Sequence, residues 1–125
     1  MNNFLFKNSD SFENRYSFEQ RLNESYNILL KYPDRLPIIC ERSKTANNDC
    51  PFIDKNKYLV PRDLTIGQFI YVIRKRLKIT HEKAIFLFID DNILPSSKMF
   101  GEIYEFYKNA DCFLYIKYSF ENTFG

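Results

Sequence analysis

The side chains of this sequence that could do covalent chemistry are few. Cys40, Cys50 and Cys112 are odd in number and lack a C-x-x-C spacing, and neither Cys50 nor Cys112 has a basic partner identifiable from the sequence, so no thiolate nucleophile is expected. His81 is the only histidine; without Cys, His or carboxylate neighbours at ligand spacing it reads as a surface residue, and no metal site is expected. No carboxylate pair or nucleophile–base triad is evident, so neither an enzyme nor a cofactor site is indicated. Arg74-Lys75-Arg76 has the look of a nucleic-acid or nuclear-import patch, but at a helix C-terminus a basic run is more simply a solvated end favoured by the helix dipole. What remains is binding chemistry, and it centres on Lys57 to Lys78.

That stretch reads as strand, stop and capped helix. Lys57 and Leu59 fall on one face of a strand and Tyr58 and Val60 on the other, and Pro61 removes the next ladder donor, as expected of an edge strand. Thr65 stands three residues before Gln68, a capping box that starts a helix at Ile66. Ile66, Phe69, Ile70, Ile73 and Leu77 form its apolar stripe, away from Gln68, Arg74, Lys75 and Lys78. By periodicity alone, Val60, Leu64 and Phe69 are core residues.

The elements around this unit follow in order. Residues 1–16 are expected to be a tail or short helix, with an apolar cluster at Phe4, Leu5 and Phe6. Ser11-Phe12-Glu13-Asn14-Arg15 and Ser17-Phe18-Glu19-Gln20-Arg21 repeat one another, and the second is the better capping box. A helix is expected from Phe18 to about Lys31, with Phe18, Leu22, Tyr26 (or Ser25) and Leu29 inward and Tyr32-Pro33 ending it. Leu36–Arg42 is read as a strand with Ile38 and Cys40 alternating against Pro37, Ile39 and Glu41, and the polar residues Ser43–Asp49 as a loop. The apolar run Ala84–Ile89 suits a central, doubly covered strand, and Asp90-Asp91-Asn92 a turn. Phe100–Tyr107 is a short helix with Ile103, Phe106 and Tyr107 inward; Phe113–Tyr118 is a last strand. One core domain, residues 17–118, and a C-terminal tail, residues 119–125, result. This order predicts an α+β fold: a β-grasp with a four-stranded mixed sheet and an N-terminal helical extension. A split βαβ sheet competes, but Phe100–Tyr107 is short for its second helix.

Composition bounds the function. A chain of 125 residues makes about one domain, burying roughly two-thirds of its unfolded surface. With 45% hydrophobic and 18% aromatic residues it is not a disordered segment. A net charge of +2 does not mark a polyanion-seeking protein. The unpaired cysteines and the short apolar run at the N-terminus argue for reduced thiols and a cytoplasmic location without a signal peptide. No apolar run approaches the roughly 18 residues needed to span a bilayer.

The segments KYPDRLPIICE, DKNKYLVPRDLTIGQF and FLYIKYS, with the terminal Phe-Gly, resemble the autophagy ubiquitin-like modifiers, the family of the GABA-receptor-associated protein and microtubule-associated light chain three. The resemblance runs from Ser17 to Gly125. It implies a ubiquitin-like β-grasp body preceded by two helices, conjugated through Gly125 to the amine of phosphatidylethanolamine. It further implies activating and conjugating enzymes of the ubiquitin-like type, a deconjugating cysteine protease, and cargo receptors bearing aromatic-x-x-aliphatic motifs. The location implied is cytoplasmic, and peripheral on autophagosomal or related membranes after lipidation. Carried over by motif, an aromatic pocket comprises Glu24, Ile28, Pro37, Ile39, Lys57, Leu59 and Phe113. An aliphatic pocket comprises Tyr58, Val60, Pro61, Leu64, Phe69 and Val72, and Arg35, Lys55 and Lys57 meet acidic residues flanking the peptide. Two features depart from the family. The loop Ser43–Pro51 is slightly longer than usual, and no residues follow Gly125, where most members carry extra residues that the protease removes, which reads as a chain made mature or already trimmed.

Two other functions compete. One is a non-conjugated ubiquitin-like module that uses only the peptide groove. The other is a small RNA-binding domain, for which Tyr and Phe on strands beside basic residues argue and the absence of an RNP-like motif argues against, so no nucleic-acid partner is expected.

Overall fold

The computed structural model describes residues 11–80 and 82–121. Residues 1–10, His81 and residues 122–125, including Gly125, lie outside the described residues. The elements are α1 (Phe12–Arg15), α2 (Phe18–Lys31), β1 (Arg35–Arg42), β2 (Lys57–Pro61), α3 (Ile66–Leu77), β3 (Phe86–Ile89), β4 (Asn92–Ile93), α4 (Phe100–Tyr107) and β5 (Leu114–Ser119). The sheet order is β2-β1-β5-β3-β4. β1 and β5 run parallel, and the pairs β1–β2, β3–β5 and β3–β4 are antiparallel. This is the expected α+β grasp with one strand more than the four foreseen.

The extra strand follows from the turn. Asp90 and Asp91 both take positive φ, 49° and 68°, which closes a two-residue hairpin and pairs Ile89 with Asn92 and Phe88 with Ile93. Aspartate tolerates this left-handed region because its short carboxylate bonds locally. A strand of two residues shows no alternation in sequence, and the glycine that usually marks such a turn is absent. β3 also begins at Phe86 rather than Ala84, and it lies between β5 and β4, so the middle strand is β5.

Both capping boxes form. Ser17 accepts from Gln20 N at 3.1 Å and Gln20 Oε1 from Ser17 N at 2.9 Å; Thr65 and Gln68 repeat this at 3.1 and 2.9 Å. The first copy of the Ser-Phe-Glu repeat is also a helix start, since Ser11 Oγ accepts from Asn14 N at 3.1 Å. The N-termini of α3 and α4 are capped by each other's approach loops. Ile66 and Gly67 donate to Lys98 O and Ser96 O, and Phe100 and Gly101 donate to Leu64 O and Arg62 O, each at 2.9 Å. A Cβ at Gly67 would lie 3.3 Å from Ser96 O, so the close approach itself calls for glycine there.

α3 and α4 cover one face of the sheet. Leu36, Ile38, Cys40, Val60, Leu87, Leu114 and Ile116 are buried there beneath Ile66, Phe69 and Ile73. An aromatic run ties the layers together, with Tyr58 to Phe69 at 5.2 Å and Phe69 to Phe100 at 5.1 Å, both edge-on. On α4 the inward residues are Phe100, Ile103 and Tyr104. Phe106, expected inward, is 79% exposed, because Phe100 and Ile103 set the buried stripe and Tyr104 falls within it while Phe106 does not.

α1 and α2 cover the other face, where Phe12, Ile39 and Phe113 are buried together and Ile28 and Tyr115 pack against them. α2 sits differently from its apolar pattern. Phe18 and Tyr26 are exposed, and the fully buried residue of the helix is Ser25, the alternative to Tyr26 at that turn. The anchor is polar. Ser25 Oγ donates to Asp111 O at 2.5 Å, and the buried Asp111 carboxylate accepts from Arg21 Nε at 2.9 Å, Phe113 N at 2.9 Å and Tyr115 Oη at 2.5 Å. A carboxylate so surrounded fixes the height of α2 over β5 more rigidly than an apolar stripe would.

Candidate functional site

β2 is an edge strand, and its register shows which backbone groups it offers. Cys40 N donates to Asn56 O at 2.8 Å, and Ile38 lies opposite Tyr58 and Leu36 opposite Val60. Hydrogen-bonded pairs alternate along an antiparallel ladder, so Asn56, Tyr58 and Val60 turn their backbone toward β1, and Lys57 and Leu59 turn theirs to solvent. Pro37, which has no N–H, lies opposite Leu59 in a pair that needs none. Two adjacent outward residues offer donors and acceptors to one extended strand of about four residues.

Side chains alternate the other way. Tyr58 and Val60 are buried toward α3, whereas Leu59 is 36% exposed and Lys57 half-buried toward α2. On the α2 side, Lys57 lies opposite Ile39 and Leu59 opposite Pro37. Lys57 Nζ pairs with Glu24 of α2 and stands 5.5 Å over the Phe12 ring. Ile28, Ile39 and Phe113 form the apolar cluster behind this pair. The structure therefore brings residues assigned to an aromatic pocket together on the α2 side of β2, Ile39 and Phe113 among them fully buried.

On the α3 side, Tyr58, Val60 and Phe69 belong to the main core and Leu64 packs against it, as periodicity alone suggests. Pro61 is partly exposed and Val72 exposed. Val72 lines a shallow depression with Tyr71, Lys75 and Arg76, three residues not assigned to the site from the sequence. Burial pushes the Tyr58 phenol well above its ordinary range, and its hydroxyl donates to Lys55 O at 2.6 Å. Lys55 Nζ stands 5.2 Å over the Tyr58 ring, and the Arg35 guanidinium lies 3.4 Å from Leu59 O, so the three assigned cations flank the open edge.

Phe12 was not assigned to the site either. Its N–H donates to Glu41 Oε2 at 2.8 Å, which seats α1 behind the Lys57–Glu24 pair. The cap at Ser11 was the available signal. The basic run at the end of α3 is bound internally: Arg74 Nη1 donates to Thr80 O at 3.1 Å and Lys83 O at 2.6 Å, and Arg76 pairs with Asp54 at 2.9 Å. Cys40 and Cys50 are buried, and burial raises both thiols, offset only in part at Cys50 by Arg42. Among the described residues no helix is long and apolar enough to cross a membrane.

Comparison with known proteins places this architecture. Residues 20–125 match the family model described as "Autophagy protein Atg8 ubiquitin like". The chain is 57% identical over 114 residues to autophagy-related protein 8 of Schizosaccharomyces pombe, covering 91% of this chain and 93% of the relative. It is 55% identical over 115 residues to autophagy-related protein 8 of Mycosarcoma maydis, covering 92% and 96%. The crystal structure of Trypanosoma brucei ATG8 superposes with a TM-score of 0.84 at 44% identity, covering 94% of this chain and 99% of that one. Found on this grasp sheet, these matches show that the chain belongs to the Atg8 family of ubiquitin-like autophagy proteins.

Proposed function

We propose that this autophagy protein is a modifier, without catalytic activity of its own, that is joined through Gly125 to phosphatidylethanolamine and recruits partners through the β2 edge. The observation that carries the reading is the pair Lys57 and Leu59, whose backbone faces solvent between two apolar regions. An aromatic-x-x-aliphatic peptide adds a strand there. Its aromatic side chain enters among Glu24, Ile28, Pro37, Ile39, Lys57, Leu59 and Phe113, and its aliphatic one among Tyr58, Val60, Pro61, Leu64, Phe69 and Val72. Acidic residues before the motif meet Arg35, Lys55 and Lys57. Burying two large side chains contributes roughly 1.5–3 kcal/mol each before the costs of association, so a single motif binds modestly and a membrane crowded with copies supplies avidity.

At the C-terminus, an activating enzyme converts the Gly125 carboxylate to an acyl adenylate at the expense of ATP, releasing pyrophosphate. An enzyme thiol displaces AMP to form a thioester, a second thiol takes over the acyl group, and the lipid amine then displaces that thiol to form an amide. Glycine lacks the Cβ that would obstruct each attack on the carbonyl carbon. The lipid's two chains hold the product on the membrane, peripherally, until a cysteine protease releases it.

The test has two arms. An aromatic-x-x-aliphatic peptide is titrated against the wild type and the Lys57→Ala/Leu59→Ala variant; equal affinities would remove the groove from the reading. The chain is then incubated with the family's activating and conjugating enzymes, ATP and liposomes containing phosphatidylethanolamine. A lipid adduct on the C-terminal peptide, abolished by Gly125→Ala, is expected. An unmodified terminus with demonstrably active enzymes would leave a non-conjugated peptide-binding module.

A further inference from the structure

The base of the C-terminal tail is bound to the loop between β1 and β2, and the contacts concentrate on its longer part, residues 43–51. Ser43 N donates to Tyr118 O at 2.9 Å, and Tyr118 Oη donates to Pro51 O at 2.7 Å. Arg42 gives the loop its shape by donating to Ala46 O, Asn47 O and Cys50 O at 3.0, 2.8 and 2.7 Å. Held this way, Asn47 meets the tail: Asn47 Nδ2 donates to Glu121 Oε2 at 2.7 Å, and Asn47 N to Glu121 Oε1 at 3.4 Å. Ser119 and Glu121 close on each other, with Ser119 Oγ donating to Glu121 Oε1 at 2.9 Å and Glu121 N to Ser119 Oγ at 3.1 Å. Beside them Lys83 pairs with Asp49 of the loop at 2.8 Å and stands 5.4 Å over the Phe120 ring.

We infer that Asn47 is a positioning residue for conjugation: through Glu121 it latches residues 120–121, just beyond the end of β5, to the domain, and the latch must open before Gly125 reaches an enzyme thiol. The inference rests on the conjugation reading above. With the latch closed, four residues, 122–125, follow it, and four residues span no more than about 14 Å fully extended. With Ser119 kept in β5 and the latch open, the arm runs from residue 120 to 125, six residues that reach about 22 Å. A thiol set back in a cleft that admits only an extended chain is served by the longer arm. If the open form is a minor fraction of the free protein, the enzyme's apparent affinity is reduced by that fraction, while the chemistry after engagement is unaffected. The latch therefore acts on KM and not on kcat.

Asn47 suits the test because it is exposed and, among the described residues, its side chain hydrogen-bonds only to Glu121. Asn47→Asp sets a carboxylate against a carboxylate. Adding Glu121→Gln restores a donor–acceptor pair, and Glu121→Gln alone keeps an acceptor for Asn47. Two measurements are made on the full chain: backbone order parameters at residues 120–121 by 15N relaxation, and the kcat and KM for ATP-dependent thioester formation on the activating enzyme. Asn47→Asp is expected to lower the order parameters and reduce KM on the order of fivefold at constant kcat, as loss of a charge-assisted bond implies. The double variant is expected to restore both. Order parameters unchanged by Asn47→Asp would overturn the latch. A mobile tail base with an unchanged or raised KM would overturn its role in gating. A wild type left uncharged by active enzymes would overturn the conjugation reading and the gating with it, and the order parameters would still report whether the latch exists.

Discussion

Replacing Asp111 with alanine tests whether a single buried carboxylate holds α2 on the sheet. The side chain is 1% exposed and accepts from Arg21 Nε, Phe113 N and Tyr115 Oη, while the Asp111 carbonyl accepts from Ser25 of α2. Breaking a buried pair by removing one partner costs about 3–5 kcal/mol. Arg21 is 12% exposed and keeps Glu13 O and Tyr16 O at 3.0 and 2.8 Å, which lowers the charge contribution. The orphaned Phe113 N–H and Tyr115 hydroxyl add about 1–3 kcal/mol each where water does not replace the carboxylate. A net loss of about 3–4 kcal/mol is expected, a large share of the roughly 5–15 kcal/mol that stabilises a domain. Urea titration followed by circular dichroism measures it, with an unchanged m-value showing that the unfolding transition is the same one. Asp111→Asn keeps one oxygen to accept from Phe113 N while its amide can donate to Tyr115 Oη, and should lose about half as much. The contrast is Glu105→Gln, which breaks the exposed pair with Arg62 and should change stability by less than about 1 kcal/mol. Asp111→Ala within 1 kcal/mol of the wild type, at the same m-value, would refute the carboxylate's part in the anchor and leave the Ser25 bond to the Asp111 carbonyl and the apolar contacts of Ile28 as what holds α2.

Alkaline pH should unfold the protein through its buried phenols. Burial raises Tyr58, Tyr104, Tyr115 and Tyr118, Tyr104 to about 12, so each contributes stability that is complete below the ordinary tyrosine range near 10 and is lost as pH climbs through the folded value. The urea midpoint should stay level from pH 7 to 9 and fall above about 10, with tyrosinate absorbance rising alongside the loss of near-ultraviolet dichroism; ionisation of these phenols with the fold intact below pH 10 would contradict it. On α4, Phe106→Ser should lie within about 0.5 kcal/mol of wild type, and Ile103→Ala, at a buried position, should lose about 2–4 kcal/mol in the same titration.

Much of the fold was legible because it depends on neighbours in sequence. Ser17 with Gln20 and Thr65 with Gln68 are three residues apart, so the starts of α2 and α3 needed no tertiary information, and Pro61 beside an alternating strand marked β2 as an edge. At the candidate site, the alternation of Lys57 and Leu59 against Tyr58 and Val60 was legible because it is local. What was missed or left open depends on contacts between distant residues. Ser25 rather than Tyr26 faces inward because Asp111, 86 residues away, offers its carbonyl to the Ser25 hydroxyl, and an apolar pattern does not register a polar anchor. Phe106 faces solvent because the α4 stripe runs through Phe100, Ile103 and Tyr104, a choice among apolar residues that only the surface beneath the helix can make. β4 exists because Asp90 and Asp91 accept left-handed backbone so that Asn92 and Ile93 can pair with β3. The sequence by itself determined the elements other than β4, the caps of α2 and α3, the buried stripe of α3 and the alternation at the edge. The tertiary structure alone decided which faces of α2 and α4 are buried, that Asn47 meets Glu121, and which backbone groups of β2 are open, because each of these is fixed by a partner that chain proximity does not supply.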